Sequence, residues 1–132
     1  MANGEHIELL KRGLYTWNQW RKDNPGIKPD FSEAIIKGVN LSKINLSMAN
    51  LSGANLTGAK LRETNLTGAT LIRANLTKAD LSAASLRGAT LGGASFSGAN
   101  LSMADLRETD LRMADLGQAT LTGGPSPVSR PC

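Results

Sequence analysis

From Ile36 onward an apolar residue occupies every fifth position of the chain. Leu41, Leu46 and Leu51 begin a series of leucines that runs to Leu121, interrupted once by Phe96. Two residues before each of these stands Ala, except at Val39, Ile44, Thr64 and Thr109. The residue between them is Asn, Asp, Ser, Thr or Lys, with Ile35 the one apolar exception. The two positions after each leucine are mostly Ser, Thr, Arg, Gly or Met.

Neither regular element keeps such a series inside. A helix turns about 100° per residue, so successive leucines would step by about 140° and form no stripe. A strand alternates faces with period two, so every second leucine would point outward. A turn in every pentad solves the problem. The small residue and the leucine then share one interior, the chain bends, and the next pair points inward from the next side. The pattern predicts a solenoid of short sides and corners around a leucine column, with alanine where nothing larger fits. Gly53, Gly58, Gly68, Gly88, Gly93 and Gly98 suit corners that need positive φ. Three sides per coil and four both satisfy the period.

The two ends differ from the array. Ile7, Leu10, Leu14 and Trp17 are spaced as one face of an amphipathic helix, and Asn24-Pro25-Gly26 stops it. Leu9 and Trp20 widen the stripe. Residues 1–28 are therefore expected to form a capping helix and linker over the first coil, whose leucine layer and strand edge would otherwise be open. Residues 29–123 form the array. Residues 124–132, with Pro125, Pro127 and Pro131, read as a flexible tail that stops further pairing.

The run ANLSGANLTGAKLRETNLTGATL, residues 49–71, resembles the pentapeptide-repeat proteins, whose pattern is Ala-(Asp/Asn)-Leu-x-x. The resemblance extends from Asp30 to Gly123. It implies an all-β solenoid, a right-handed quadrilateral β-helix with four pentads per coil and an N-terminal α-helical cap. Counted from Phe31, the array makes just under five coils, about 23 Å tall at ~4.8 Å per rung. The stretch from Thr16 to Lys22 with Pro29-Asp30 resembles a leader found before many bacterial and cyanobacterial arrays.

Composition adds little chemistry. There is one Cys, Cys132, and one His, His6, so a disulfide framework, a Cys-based metal site and a multi-His site are excluded. No apolar run reaches the ~20 residues of a membrane span, and the start lacks a signal pattern. A cytoplasmic protein is expected. Asp105, Asp110 and Asp115 fall on three different sides, partnered by Arg107 and Arg112, and His6 reads as a surface residue. The expectation is no enzyme, with no catalytic, cofactor or metal residues and no small-molecule substrate.

With four pentads per coil, residue n stacks on n+20. Arg87 then lies beside Arg107, a like-charge pair suited to an acidic partner. Asn45 stacks on Asn65, and Asn55 on Asn75, as side-chain ladders. Ile72 faces outward on the side carrying Gly92, with Gly93 beside it, a bare and faintly apolar surface. These five residues, Arg87, Arg107, Ile72, Gly92 and Gly93, are the candidate contact surface of a non-catalytic scaffold for an unidentified protein partner. The rod is expected to be a monomer or a weak dimer through its exposed C-terminal coil. The alternative is a DNA mimic that engages or protects gyrase, as some proteins of this resemblance do. The net charge of +4, from 15 Lys+Arg against 11 Asp+Glu, disfavours it, since mimicry needs a negative field. The same cations are scattered over every side rather than gathered in a stripe, which argues against nucleic-acid binding.

Overall fold

The computed structural model describes residues 2–123; the proline-rich tail lies outside them. Two helices lead the chain, α1 (Gly4–Lys11) and α2 (Leu14–Asp23). Asn3 caps α1, its Oδ1 accepting from the N–H groups of Glu5 at 2.8 Å and His6 at 3.3 Å, as N-cap side chains do. The single helix expected from the hydrophobic spacing is thus two. Gly13 breaks it with φ +100°, a left-handed value that favours glycine. Past that break Leu14 leaves the stripe and is 42% exposed, whereas Leu10 and Trp17 are buried. Asn24 ends α2 as expected, its N–H and its Nδ2 both donating to the Trp20 carbonyl.

From Asp30 the chain winds as a four-sided coil. In each pentad a parallel bridge joins the residue before the leucine to the one twenty further on, from Asp30↔Asn50 to Asn100↔Thr120, so four pentads make one turn. Among the described residues nearly every pentad, that of Ile36 excepted, closes with a tight turn in which the carbonyl of the inward residue accepts from the N–H three residues on, as Leu51 does from Ala54 at 3.0 Å. The third residue of that turn takes φ near +60°, which defines type II geometry. Gly53 sits there at +68°, and so do Glu33, Arg73 and Ala83 at 61°, 58° and 60°. Leu41 to Leu106, with Phe96, lose nearly all solvent contact, as do the alanines beside them. Thr64, inside the column in place of alanine, satisfies its hydroxyl on the Leu41 carbonyl at 2.7 Å.

The backbone accounting of one pentad explains its sequence. In Ala54–Gly58, the N–H of Ala54 closes the turn before. Asn55 donates up to Ala34, Leu56 down to Asn75 and Gly58 down to Thr77. Only Thr57 N–H is left over, and it donates to Asn55 Oδ1 at 3.1 Å. The same bond forms wherever Asn or Asp precedes the leucine, from Ser32 on Asp30 to Gly117 on Asp115. This is the Asx turn. The expected asparagine ladders up each face are therefore corrected: stacked asparagines bind their own turns, not one another.

The first rung has no rung above it, and the helices replace that rung on two of the four sides. On one side Asn3 N–H donates to the Asp30 carbonyl at 2.9 Å, and Asp30 N–H donates to His6 Nδ1 at 2.9 Å. On the adjoining side Trp17 Nε1 donates to the Asn45 carbonyl at 2.7 Å. Arg21 donates to the carbonyls of Asn45 and Ser47, and Asn45 N–H donates to Asn18 Oδ1 at 2.8 Å. Burial lowers the Arg21 pKa from its ordinary value. The N–H groups of Ile35 and Asn40, on the remaining two sides, have no such acceptor within the described residues.

Candidate partner-contact surface

Seven pentads lack Asn or Asp before their leucine, and in two of them the gap is stacked. Thr70 and Thr90 lie on adjacent rungs of one side, joined by a parallel bridge. Neither receives the N–H two residues on, so Ile72 N–H and Gly92 N–H have no acceptor among the described residues. Elsewhere on this side Asn50 and Asp110 close the same bond to Ser52 and Arg112. The sequence had singled out Ile72, Gly92 and Gly93 for bareness. The structure brings these three together in a shallow groove of about 560 Å³, with Arg73, Thr90, Asp110, Arg112 and Met113. Arg73 makes no ion pair among the described residues, and its stem lies over Gly93, 3.3 Å from where a Cβ would stand. Ile72 and Arg73 also line a second depression with Ser32, Glu33, Ser52 and Gly53. The surface thus combines an apolar floor, two unpaired backbone donors and an unpaired guanidinium.

Arg87 and Arg107 lie on a different side and do not join this groove. Their backbones stack, Gly88 N–H donating to the Arg107 carbonyl, yet the expected like-charge pair is not left uncompensated. Arg87 turns to Glu108 at 3.4 Å. Arg107 holds Asp105 with two bonds, Nε to Oδ1 at 2.9 Å and Nη2 to Oδ2 at 2.8 Å, the fork geometry that guanidinium and carboxylate share. Arg112 holds Asp110 in the same way. These bonds hold the carboxyls of Asp105 and Asp110 down at about 2 and push both arginines up from their ordinary value.

Asp105, Asp110 and Asp115 fall on three sides, each tied to its own turn. Among the described residues no three His, Cys, Asp or Glu side chains gather closely enough to hold a metal ion. His6 corrects the reading of a surface residue: it is 7% exposed, packed against the rings of Trp20 and Phe31. Its missing signal is tertiary, since the Asp30 N–H that it accepts lies across the linker. The fold-back of α1 also makes a cleft of about 770 Å³ that the sequence did not foretell. It is lined by Asn3, Glu5, His6, Glu8, Leu9, Arg12, Trp20 and Ile27 among others.

Repeat pattern, turn and stacked coil together define a pentapeptide-repeat β-helix. The family model for pentapeptide repeats matches residues 49–88 and 84–123, and the chain belongs to that family. A pentapeptide repeat protein from the Arabidopsis thaliana thylakoid lumen is similar at TM-score 0.72 and 28% identity, over 74% of this chain and 68% of that one. Rfr23 from the cyanobacterium Cyanothece 51142 is 27% identical over 81% of this chain and 95% of its own, at TM-score 0.45. HetL of Nostoc, involved in heterocyst differentiation regulation, is 30% identical over 76% and 73%, at TM-score 0.36. No curated protein matches the chain.

Proposed function

We propose that this protein is a non-catalytic scaffold that docks an acidic segment of a protein partner on the Ile72–Gly92 face. In this reading its coils wind right-handed and number just under five. The observation that carries it is the pair of stacked N–H groups at Ile72 and Gly92, left open where Thr70 and Thr90 replace an acceptor. A partner carboxylate supplies the missing oxygens, Arg73 pairs with its charge, and Ile72 and Met113 take an adjoining apolar side chain. A charge-assisted bond of this kind is stronger than a neutral one. The filled interior leaves the surface as the place for recognition.

Affinity capture from the source organism, comparing the natural chain with Gly92→Arg, tests the reading. Gly92 has no positive φ, and a Cβ there meets only the Arg112 carbonyl at 3.6 Å. The new side chain therefore fills the groove without straining the turn, unlike a change at Gly93 with φ +70°. The expected result is a specific partner lost from the variant. Equal capture by both chains would reject this face.

A further inference from the structure

We infer that the uncapped half of the first rung is a second docking edge, built to accept an extended, acidic, β-branched segment of a partner protein. This goes beyond the groove on the Ile72–Gly92 face and uses a different surface.

The hydrogen-bond pattern defines the edge. In every lower rung the residue before the leucine donates its N–H to the rung above and accepts from it. Asn55 donates to Ala34 and accepts from Ile36, and Lys60 donates to Val39 and accepts from Leu41. One rung earlier, Ile35 and Asn40 hold the same positions with nothing above them. Their N–H groups, and the carbonyls of Ile35, Lys37, Asn40 and Ser42, are unpaired among the described residues. Proteins normally blunt such an edge. Here Asn3, His6, Trp17, Asn18 and Arg21 blunt the two neighbouring sides, and on this edge Asn18 Nδ2 reaches only the corner carbonyl of Lys43 at 3.2 Å.

The side chains agree with the backbone. Ile35 is the only apolar residue in its position anywhere in the array, and it is 77% exposed. Val39 replaces the usual alanine and is 38% exposed, while Ile44, its counterpart under the helices, is buried. The two sides over their first two rungs carry Lys37, Lys43, Lys60 and Arg62 against Glu63 alone. An extended chain that adds to a sheet edge gains main-chain bonds there and reads specificity through alternate side chains. The matching segment therefore presents its own C=O and N–H to Ile35 and Asn40, β-branched residues to Ile35 and Val39, and carboxylates to the lysines.

A random peptide library displayed on phage and panned on the full chain tests this. The selected peptides are then titrated by fluorescence polarisation. The expected peptides are rich in Val, Ile, Asp and Glu and lack internal proline. They slow hydrogen exchange at the Ile35 and Asn40 amides of the natural chain, a readout that needs no variant. The double variant Ile35→Lys, Val39→Lys weakens them about tenfold or more, while Gly92→Arg leaves them unchanged. Peptides that lose binding in Gly92→Arg and not in the edge variant overturn the edge and leave the groove standing. Selection of no peptide, of basic peptides, or of a dimer of this chain through the edge also overturns it.

Discussion

The indole Nε1 of Trp17 donates to the Asn45 carbonyl at 2.7 Å, joining the second helix to an acceptor that every lower rung satisfies from the rung above. Arg21 shares that carbonyl at 3.0 Å. Trp17 is wholly buried and packs against Phe31 and Trp20 with ring centroids 5.5 and 5.3 Å away. The cap is therefore a substitute rung, made mostly of side-chain donors and acceptors, with one backbone donor at Asn3.

Trp17→Phe keeps most of the packing and removes the donor, and should cost about 0.5–1.5 kcal/mol. Trp17→Ala should cost about 3–5 kcal/mol and raise light scattering as the first rung opens. Denaturant melts with sedimentation check both. An alanine variant as stable and as monodisperse as the parent would contradict the role given to the cap.

Position along the column should set the cost of deleting a leucine. Leu76 is fully buried and Leu121 is 48% exposed. Leu76→Ala should destabilise by about 2–5 kcal/mol, and Leu121→Ala by about 0.5 kcal/mol or less. Equal losses would show that the inward register is wrong.

Much of this was written in the five-residue period. The inward leucines, the alanines and the glycines at positive φ follow from asking which backbone keeps every fifth residue inside. What escaped the sequence depends on tertiary partners. His6 reads as surface because its acceptor role depends on Asp30, which the fold alone brings beside it. Gly13 was visible, but a hydrophobic stripe running through it hid the break. The asparagines were assigned to their stacked neighbours, although the N–H two residues on is nearer and otherwise unpaired. Arg87 and Arg107 read as a like-charge pair from stacking alone, although Arg107 also reads as a partner of the aspartates; side-chain rotation toward Asp105 and Glu108 decides between the two. Thr70 and Thr90 carry no signal in the sequence by themselves: an absent acceptor matters only once the bond it should accept is known.

The Asx turn predicts its own mutant. Asn55→Ala orphans Thr57 N–H and the Thr57 hydroxyl, which donates to the same oxygen at 2.7 Å. The expected loss is about 1 kcal/mol, with faster amide exchange at Thr57 than at Leu56. Unchanged exchange at Thr57 would show that the bond does not form in solution.

Acid should loosen the C-terminal coil first. Asp105 and Asp110 are held at about 2 by Arg107 and Arg112, against about 3.9 when unfolded. A lowered folded value means the stabilisation is present above the unfolded pKa and is lost as pH falls through the folded one. Thermal melts should therefore decline between about pH 4 and pH 2, and the decline should shrink in Arg107→Gln, Arg112→Gln. Both pairs are exposed to solvent, so the decline should also shrink in high salt. A profile identical in parent and double variant would dismiss these pairs as its source.

Thr70 and Thr90 leave two turn N–H groups open for a partner, and restoring their acceptors separates binding from folding. In Thr70→Asn, Thr90→Asn each new side chain closes the bond to Ile72 or Gly92, as Asn50 does to Ser52 at 3.0 Å. Calorimetric titration of the double variant with the captured partner should show affinity reduced about tenfold or more, while the melting temperature stays level or rises. Undiminished affinity in a variant whose Ile72 and Gly92 amides have become protected from exchange would contradict the proposed docking face.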